Sequence, residues 1–148
     1  EEGDEMKTIT EERTQVRTPL ELPPVLSETA GILMKARDLL SDPSRWGKVF
    51  LFNLLQPDVV CLAGAVTRAL GYDGNNNTEG NYYVYNNLLG LKVMSRLHAV
   101  TQVRFGCAAE IANDDLYRSG EGDPTKFLEA HAVLLSIIDE AIAEEQRC

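Results

Sequence analysis

The chain has 148 residues and a mass of 16.4 kDa, and its 44% hydrophobic and 25% charged residues are typical of one globular domain. Its 23 acidic and 14 basic side chains give a net charge of −9, which disfavours direct nucleic-acid binding because phosphate contacts need a surface rich in Lys and Arg. No apolar run approaches the roughly 20 residues of a membrane helix, and no secretory leader is recognisable. We therefore expect no membrane association and a cytoplasmic location.

The cysteines favour neither a disulfide framework nor a metal centre. Cys61, Cys107 and Cys148 are odd in number and form no CxxC pair, the spacing that a cysteine-rich zinc site would need. We predict no metal site and no cofactor.

The negative charge is concentrated at the start of the chain. Residues 1–28 contain eight acidic and three basic side chains, together with Pro19, Pro23 and Pro24. We predict a partly flexible, extended acidic arm over residues 1–26 and a single helical domain over residues 27–148. In an alternative interpretation, this segment is a docking arm whose Leu20, Leu22, Val25 and Leu26 pack in extended form on a groove.

The first helix has clear boundaries. Ser27 is a good N-cap, Glu28 follows in the first turn, and Ser41-Asp42-Pro43 ends the helix. Its apolar face consists of Ile32, Leu33, Ala36, Leu39 and Leu40. The next segment, residues 44–56, is too densely apolar for a surface loop and fits either a helical turn or a short buried strand. The second choice predicts a small β-hairpin near residues 49–60.

A short central helix is predicted from Asp58, as its N-cap, to Gly71, which supplies a left-handed stop. The small residues Cys61, Gly64 and Ala65 have a structural role in this prediction, because they leave room for a neighbouring backbone to approach closely.

Three further helices follow a polar loop at residues 72–81. Positions 89, 93, 97 and 100 share one face of a third helix, which Gly106 ends. Residues 107–116 form a short fourth helix. Asp123-Pro124 opens the last helix, whose apolar stripe includes His131.

Two sets of residues are candidates for catalysis. His98 or His131 near Cys107 would favour a reactive thiolate, but no local signature accompanies Cys107. Asp114 and Asp115 are adjacent carboxylates, but consecutive helical residues diverge by about 100° and do not converge on one point. We favour the alternative in which Asn113 and Asp114 bond to backbone groups where the helix meets the following loop. We assign no catalytic residue.

Aromatic and polar residues suggest a binding pocket instead. Trp46, the only tryptophan, is either a core anchor or one wall of a pocket between helices. The ligand-binding candidates are Trp46, Tyr82, Tyr85, His98, Asn113 and Asp114.

Three features together resemble an uncharacterised family of small proteins from actinobacteria and their phages. They are Trp46 after the first helix, the run CLAGAVTRA at residues 61–69, and Ala112-Asn113-Asp114 followed by Thr125 and the helix FLEAHAVLLSIIDEAI. The resemblance covers residues 27–143 and departs at Ala112, where the family usually has Trp. It implies a helical fold and a bacterial or phage origin, and no reaction.

Together these observations predict an all-α bundle of about five helices. The function that fits best is a non-enzymatic binding protein that engages a protein partner, in a phage–host or virion setting. The alternatives are a small-molecule-binding protein with an interhelical pocket and, third, a small hydrolase that uses Cys107 or the pair Asp114 and Asp115. A homo-oligomer stays open.

Overall fold

The structure, a computed structural model, describes residues 26–56 and 58–147 and is built from α-helices. The helices are α1 (Glu28–Leu40), α2 (Leu62–Ala69), α3 (Asn77–Tyr85), α4 (Leu88–Phe105), α5 (Ala109–Gly120) and α6 (Pro124–Arg147). No β-strand occurs within these two ranges, so the predicted all-α class is confirmed. The acidic arm before Leu26 and the last cysteine, Cys148, lie outside the described residues.

Several predicted helix boundaries are confirmed by their hydrogen bonds. The Ser27 side chain accepts a bond from the Ala30 amide at 3.0 Å, which caps α1. Gly106 ends α4 in the left-handed region at φ 72°. The Asp123 carboxylate accepts the amides of Thr125 and Lys126, each at 3.1 Å, at the start of α6.

Two helices organise the packing of the others. The long helix α6 packs against α1, α4 and α5, whereas the short helix α2 packs against α1, α3, α4 and α5. Every residue from Leu62 to Thr67 is buried. A Cβ atom at Gly64 would collide with the carbonyl oxygen of Leu51, so the predicted close approach of a neighbouring backbone is confirmed at this position.

The predicted start of α2 is wrong by three residues. Asp58 lies in a turn, and Cys61 is the N-cap, with its sulfur 3.4 Å from the Gly64 amide. The helix cannot begin earlier because Val60 is held in extended form: its amide donates to the Arg45 carbonyl at 2.8 Å and its carbonyl accepts from Gly47 at 2.9 Å.

The first five residues of helix α3 lie in the predicted polar loop at residues 72–81, and this helix brings the count to six helices in the described ranges instead of about five. Asn76 caps this helix by accepting the Glu79 amide at 2.9 Å. Gly80 lies against the ring of Phe52, where an added Cβ atom would come within 2.7 Å of the ring. Tertiary contact therefore supports a helix whose Asn-rich composition favours a loop.

The interpretation of residues 44–56 as buried structure is wrong for four of their seven large apolar residues. A 3₁₀ turn spans Pro43–Arg45, and irregular backbone follows. Trp46 and Phe52 are buried, but Val49, Phe50, Leu54 and Leu55 are exposed. The proposed hairpin is not confirmed: Val60 forms only isolated bridges, parallel with Trp46 and antiparallel with Phe52.

Candidate functional site

Residues 47–56, which we call the apolar loop, expose an unusual amount of hydrophobic surface. Val49, Phe50, Leu54 and Leu55 are exposed to 53%, 61%, 70% and 93%. Single exposed apolar residues are common on protein surfaces, but contiguous apolar patches mark interaction sites. Four such side chains within seven residues therefore make this loop the leading candidate site.

Asn113 of α5 anchors the beginning of the apolar loop from the core. Its Oδ1 accepts the indole N–H of Trp46 at 2.8 Å and the amide of Leu62 at 3.0 Å. Its Nδ2 donates to the carbonyl of Gly47 at 3.0 Å. Because Asn113 and Trp46 are almost wholly buried, these bonds replace water for groups that solvent cannot reach. One side chain thus joins α5, the start of α2 and the loop.

Asp114 holds the most strained residue of the apolar loop. Val49 has φ 71°, a left-handed value that a β-branched residue rarely adopts. It is the central residue of a three-residue turn in which the Phe50 amide donates to the Lys48 carbonyl at 2.8 Å. The Asp114 carboxylate accepts the Val49 amide at 2.9 Å. Backbone strain of this kind persists only where the surroundings over-determine it, and it concentrates at functional sites.

Phe52 fixes the second half of the apolar loop against α3. The Asn77 side chain pairs with both backbone groups of Phe52, accepting its amide at 2.9 Å and donating to its carbonyl at 3.3 Å. The Phe52 ring is stacked on Tyr72 with centroids 5.7 Å apart, and the Arg68 guanidinium lies 4.0 Å from the Phe52 centroid. Side chains of α3 and α5 therefore bond the loop backbone at Gly47, Val49 and Phe52, while Phe50, Leu54 and Leu55 face solvent.

The apolar loop carries no sequence signature that identifies it as a site. The only signal was negative: its apolar residues follow neither a helical nor a strand period, and Pro57-Asp58 comes directly after. The amides of Asn77 and Asn113, which hold the loop, are remote in sequence from it.

The six predicted ligand-binding candidates lie in three different places. Trp46, Asn113 and Asp114 form the anchor of the apolar loop, and Tyr85 lies beside His98 with ring centroids 6.5 Å apart. Tyr82 is 68% exposed on the outer face of α3. They do not line one common pocket.

Tyr85, His98 and Glu110 form a half-buried hydrogen-bonded cluster. His98 Nδ1 accepts the Ala109 amide at 3.0 Å and so caps α5, whose own N-cap, Ala108, has no side-chain acceptor. A nitrogen that accepts this bond carries no proton, so in the neutral ring Nε2 carries it and faces the Tyr85 hydroxyl at 3.3 Å. Tyr85 donates to Glu110; burial and this bond raise the pKa of the Tyr85 phenol.

The other candidate catalytic residues are also tied to the backbone or lie apart. His131 Nε2 lies 2.6 Å from the Leu40 carbonyl and donates to it at the end of α1. Cys61, which was predicted to be structural and not catalytic, has a thiol whose pKa is raised to about 11 by burial, so it is unreactive near neutrality. Cys107 is half-buried and Asp115 is exposed.

No group of three or more metal-ligating side chains occurs among the residues that the structure describes. Over the same ranges, none of the helices combines the length and the apolar character that crossing a bilayer requires.

Comparison with known proteins assigns no family. The sequence matches no protein-family model, and no curated protein or solved structure shows significant similarity to the chain.

Proposed function

We propose that this chain is a non-enzymatic binding protein that engages a protein partner through the apolar loop. The observation that carries the proposal is the pairing of four exposed apolar side chains with a backbone held from the core by Asn113, Asp114 and Asn77. Fully burying one Leu or Phe side chain contributes roughly 1.5–3 kcal/mol, so a partner that covers these four would gain substantially.

The anchoring supports binding because it reduces the entropic cost of association. A loop that is free in solution must be ordered when its partner binds, and that cost is subtracted from the affinity. The described anchors restrict the apolar loop before any partner arrives. The strained backbone at Val49 supports the same idea, because it fixes the direction in which the neighbouring apolar side chains face the partner.

The charges around the apolar loop favour an apolar partner surface. Lys48 is its only charged residue, and its ammonium lies 2.7 Å from the Glu121 carboxylate. The centres of protein interfaces are depleted of charged residues and enriched in aromatic ones, and Phe50 would be the aromatic residue here. The expected partner therefore offers a hydrophobic groove to Phe50, Leu54 and Leu55.

The biological setting rests on the sequence resemblance alone. We extend the proposal to a bacterial or phage protein that acts in a phage–host or virion context, since the resembling family comes from actinobacteria and their phages. The partner would then be a protein of the host or of the particle.

Site-specific photo-cross-linking tests the proposal. The cross-linking amino acid p-benzoylphenylalanine replaces Leu55 in one protein and Val103, which is 86% exposed at the far end of α4, in the control. Both proteins are irradiated in a lysate of the organism that carries the gene. We expect a protein captured from position 55 alone, and excess unlabelled chain should compete with its capture.

The competitor variant decides the result. A chain carrying Phe50→Ser, Leu54→Ser and Leu55→Ser should fail to compete, whereas one carrying Val103→Ser should compete fully. Equal capture from both positions, or full competition by the triple variant, would refute the proposal. A cross-link between two copies of this chain would identify the partner as a second copy.

The alternatives have weaker support. Hydrolysis by Asp114 is disfavoured because the same carboxylate oxygen already accepts bonds from the Val49 amide and the Asn113 side chain at 2.9 and 3.1 Å. Small-molecule binding keeps one specific observation in its favour, a cleft on α3 that is lined by Tyr72, Tyr82 and Tyr83.

A further inference from the structure

An aromatic cleft lies on the outer face of α3, and none of the exposed side chains of the apolar loop line it. It has a volume of about 550 Å³, within the roughly 300–1,000 Å³ typical of small-molecule sites. We call it the tyrosine cleft, and its principal lining residues are Tyr72, Glu79, Tyr82, Tyr83, Asn86 and Asn87.

The two inner rings of the tyrosine cleft are fixed before any ligand binds. Tyr72 is stacked on the buried Phe52, and its hydroxyl donates to the Glu79 carboxylate at 3.1 Å. The Tyr83 hydroxyl donates to the Leu70 carbonyl at 3.3 Å. The rings of Tyr72 and Tyr83 have centroids 5.5 Å apart and are inclined by 42°, so they form two walls at an angle.

Residues on one face of α3 form the remaining walls of the cleft. Residues three and four apart share one face of a helix, which puts Glu79 beside both Tyr82 and Tyr83. Tyr82 is 68% exposed and forms the open side.

The chemistry of these walls favours a positive charge. The face of an aromatic ring carries negative electrostatic potential and attracts cations. Aromatic cages commonly bind methylated ammonium groups, which lose less hydration than a bare ammonium when they enter the cage. Among the described residues that line the cleft, Glu79 is the only charged one, and its charge is negative. The nearby Arg68 does not supply a cation to the cleft, because it lies over Phe52 and donates to the Tyr72 carbonyl at 3.1 Å.

We propose that the tyrosine cleft binds a small organic cation with a methylated ammonium group, held by the faces of Tyr72, Tyr82 and Tyr83 and by the Glu79 carboxylate. The proposal goes beyond protein binding by the apolar loop and does not depend on it.

A matched pair of probes separates charge from shape. Choline and its uncharged isostere 3,3-dimethyl-1-butanol have the same branched shape, and only choline is a cation. Each is titrated into the full chain, and the NMR shifts of the tyrosine ring protons give the Kd. We expect choline to bind about tenfold more tightly than the alcohol. Equal affinities, or no saturable binding of choline, would overturn the proposal.

Conservative variants assign the binding to the tyrosine cleft. Tyr82→Phe keeps the ring and should bind choline normally. Tyr82→Leu removes the ring and Glu79→Gln removes the charge. Each should weaken choline binding by about three- to tenfold, and by a larger factor than it weakens binding of the alcohol. Unchanged choline binding in both variants would refute the assignment.

The apolar-loop triple variant distinguishes the two proposals. It should bind choline like the unmodified chain. The two proposals can therefore fail separately: cross-linking can fail while choline binds, and choline binding can fail while the cross-link forms. Loss of choline binding in the folded triple variant would place the cation outside the tyrosine cleft.

Discussion

Replacing the buried Asn113 by alanine tests whether this side chain holds the apolar loop to the core. The substitution leaves the indole N–H of Trp46 and the amide of Leu62 without their acceptor, and the Gly47 carbonyl loses a donor. A buried polar group left unpaired costs about 1–3 kcal/mol. Gly47 is only half-buried, so its carbonyl can accept a bond from water and adds little to the cost. We therefore expect Asn113→Ala to lower the free energy of unfolding by about 3–5 kcal/mol.

Urea denaturation followed by far-ultraviolet circular dichroism measures this change. Asn86→Ala is the matched control, because Asn86 is exposed and its side chain makes one bond, to the Tyr82 carbonyl at 3.0 Å. The control should change the free energy of unfolding by less than about 1 kcal/mol. A similarly small effect of Asn113→Ala would refute the anchoring role.

A double-mutant cycle isolates the bond between Asn113 and Trp46. Trp46→Phe removes the indole N–H, so Asn113→Ala should cost less in that background than in the unmodified chain. We expect a coupling of about 1–2 kcal/mol, as for other residues in direct contact. Additive effects would mean that the indole bond contributes little to stability.

Two further predictions concern α2 and its cap. Gly64→Ala should destabilise the fold and displace the apolar loop, because the added Cβ would collide with the Leu51 carbonyl. Gly31→Ala is the control in α1, where the added Cβ meets open space, and it should stabilise the fold by up to about 1 kcal/mol. Thermal unfolding compares the two variants, and equal effects would contradict the close approach at Gly64. Burial raises the pKa of Cys61 from 9.0 to about 11, so the folded state favours the protonated thiol, and its contribution to stability is complete below pH 9 and lost as the pH rises towards 11. The unfolding free energy of the unmodified chain should therefore fall relative to that of Cys61→Ser by roughly 2 kcal/mol between these values, and a constant difference would show that the thiol titrates normally.

The candidate sites could be predicted only in part from the sequence. The sequence indicates that Asn113 and Asp114 fit backbone bonds at a helix end, but the backbone groups they bind, in Gly47 and Val49, are about 65 residues away. The sequence also makes Tyr82 a ligand-binding candidate, whereas it predicts a loop at Tyr72, the other wall of the cleft, and gives that residue no role. Contacts between residues so far apart leave no trace in local periodicity.

The sequence by itself determined the helical class and the helices α1, α4 and α6, because their apolar residues recur at 3.6-residue spacing and Ser27, Gly106 and Asp123-Pro124 mark their ends. Only the tertiary structure decided residues 44–61 and α3. The run around Phe52 is apolar at nearly every position, so no period selects which side chains face inwards. Bonds from Asn77, Asn113 and Asp114 fix that backbone instead, and they turn Trp46 and Phe52 into the core while leaving Phe50 and Leu55 in solvent.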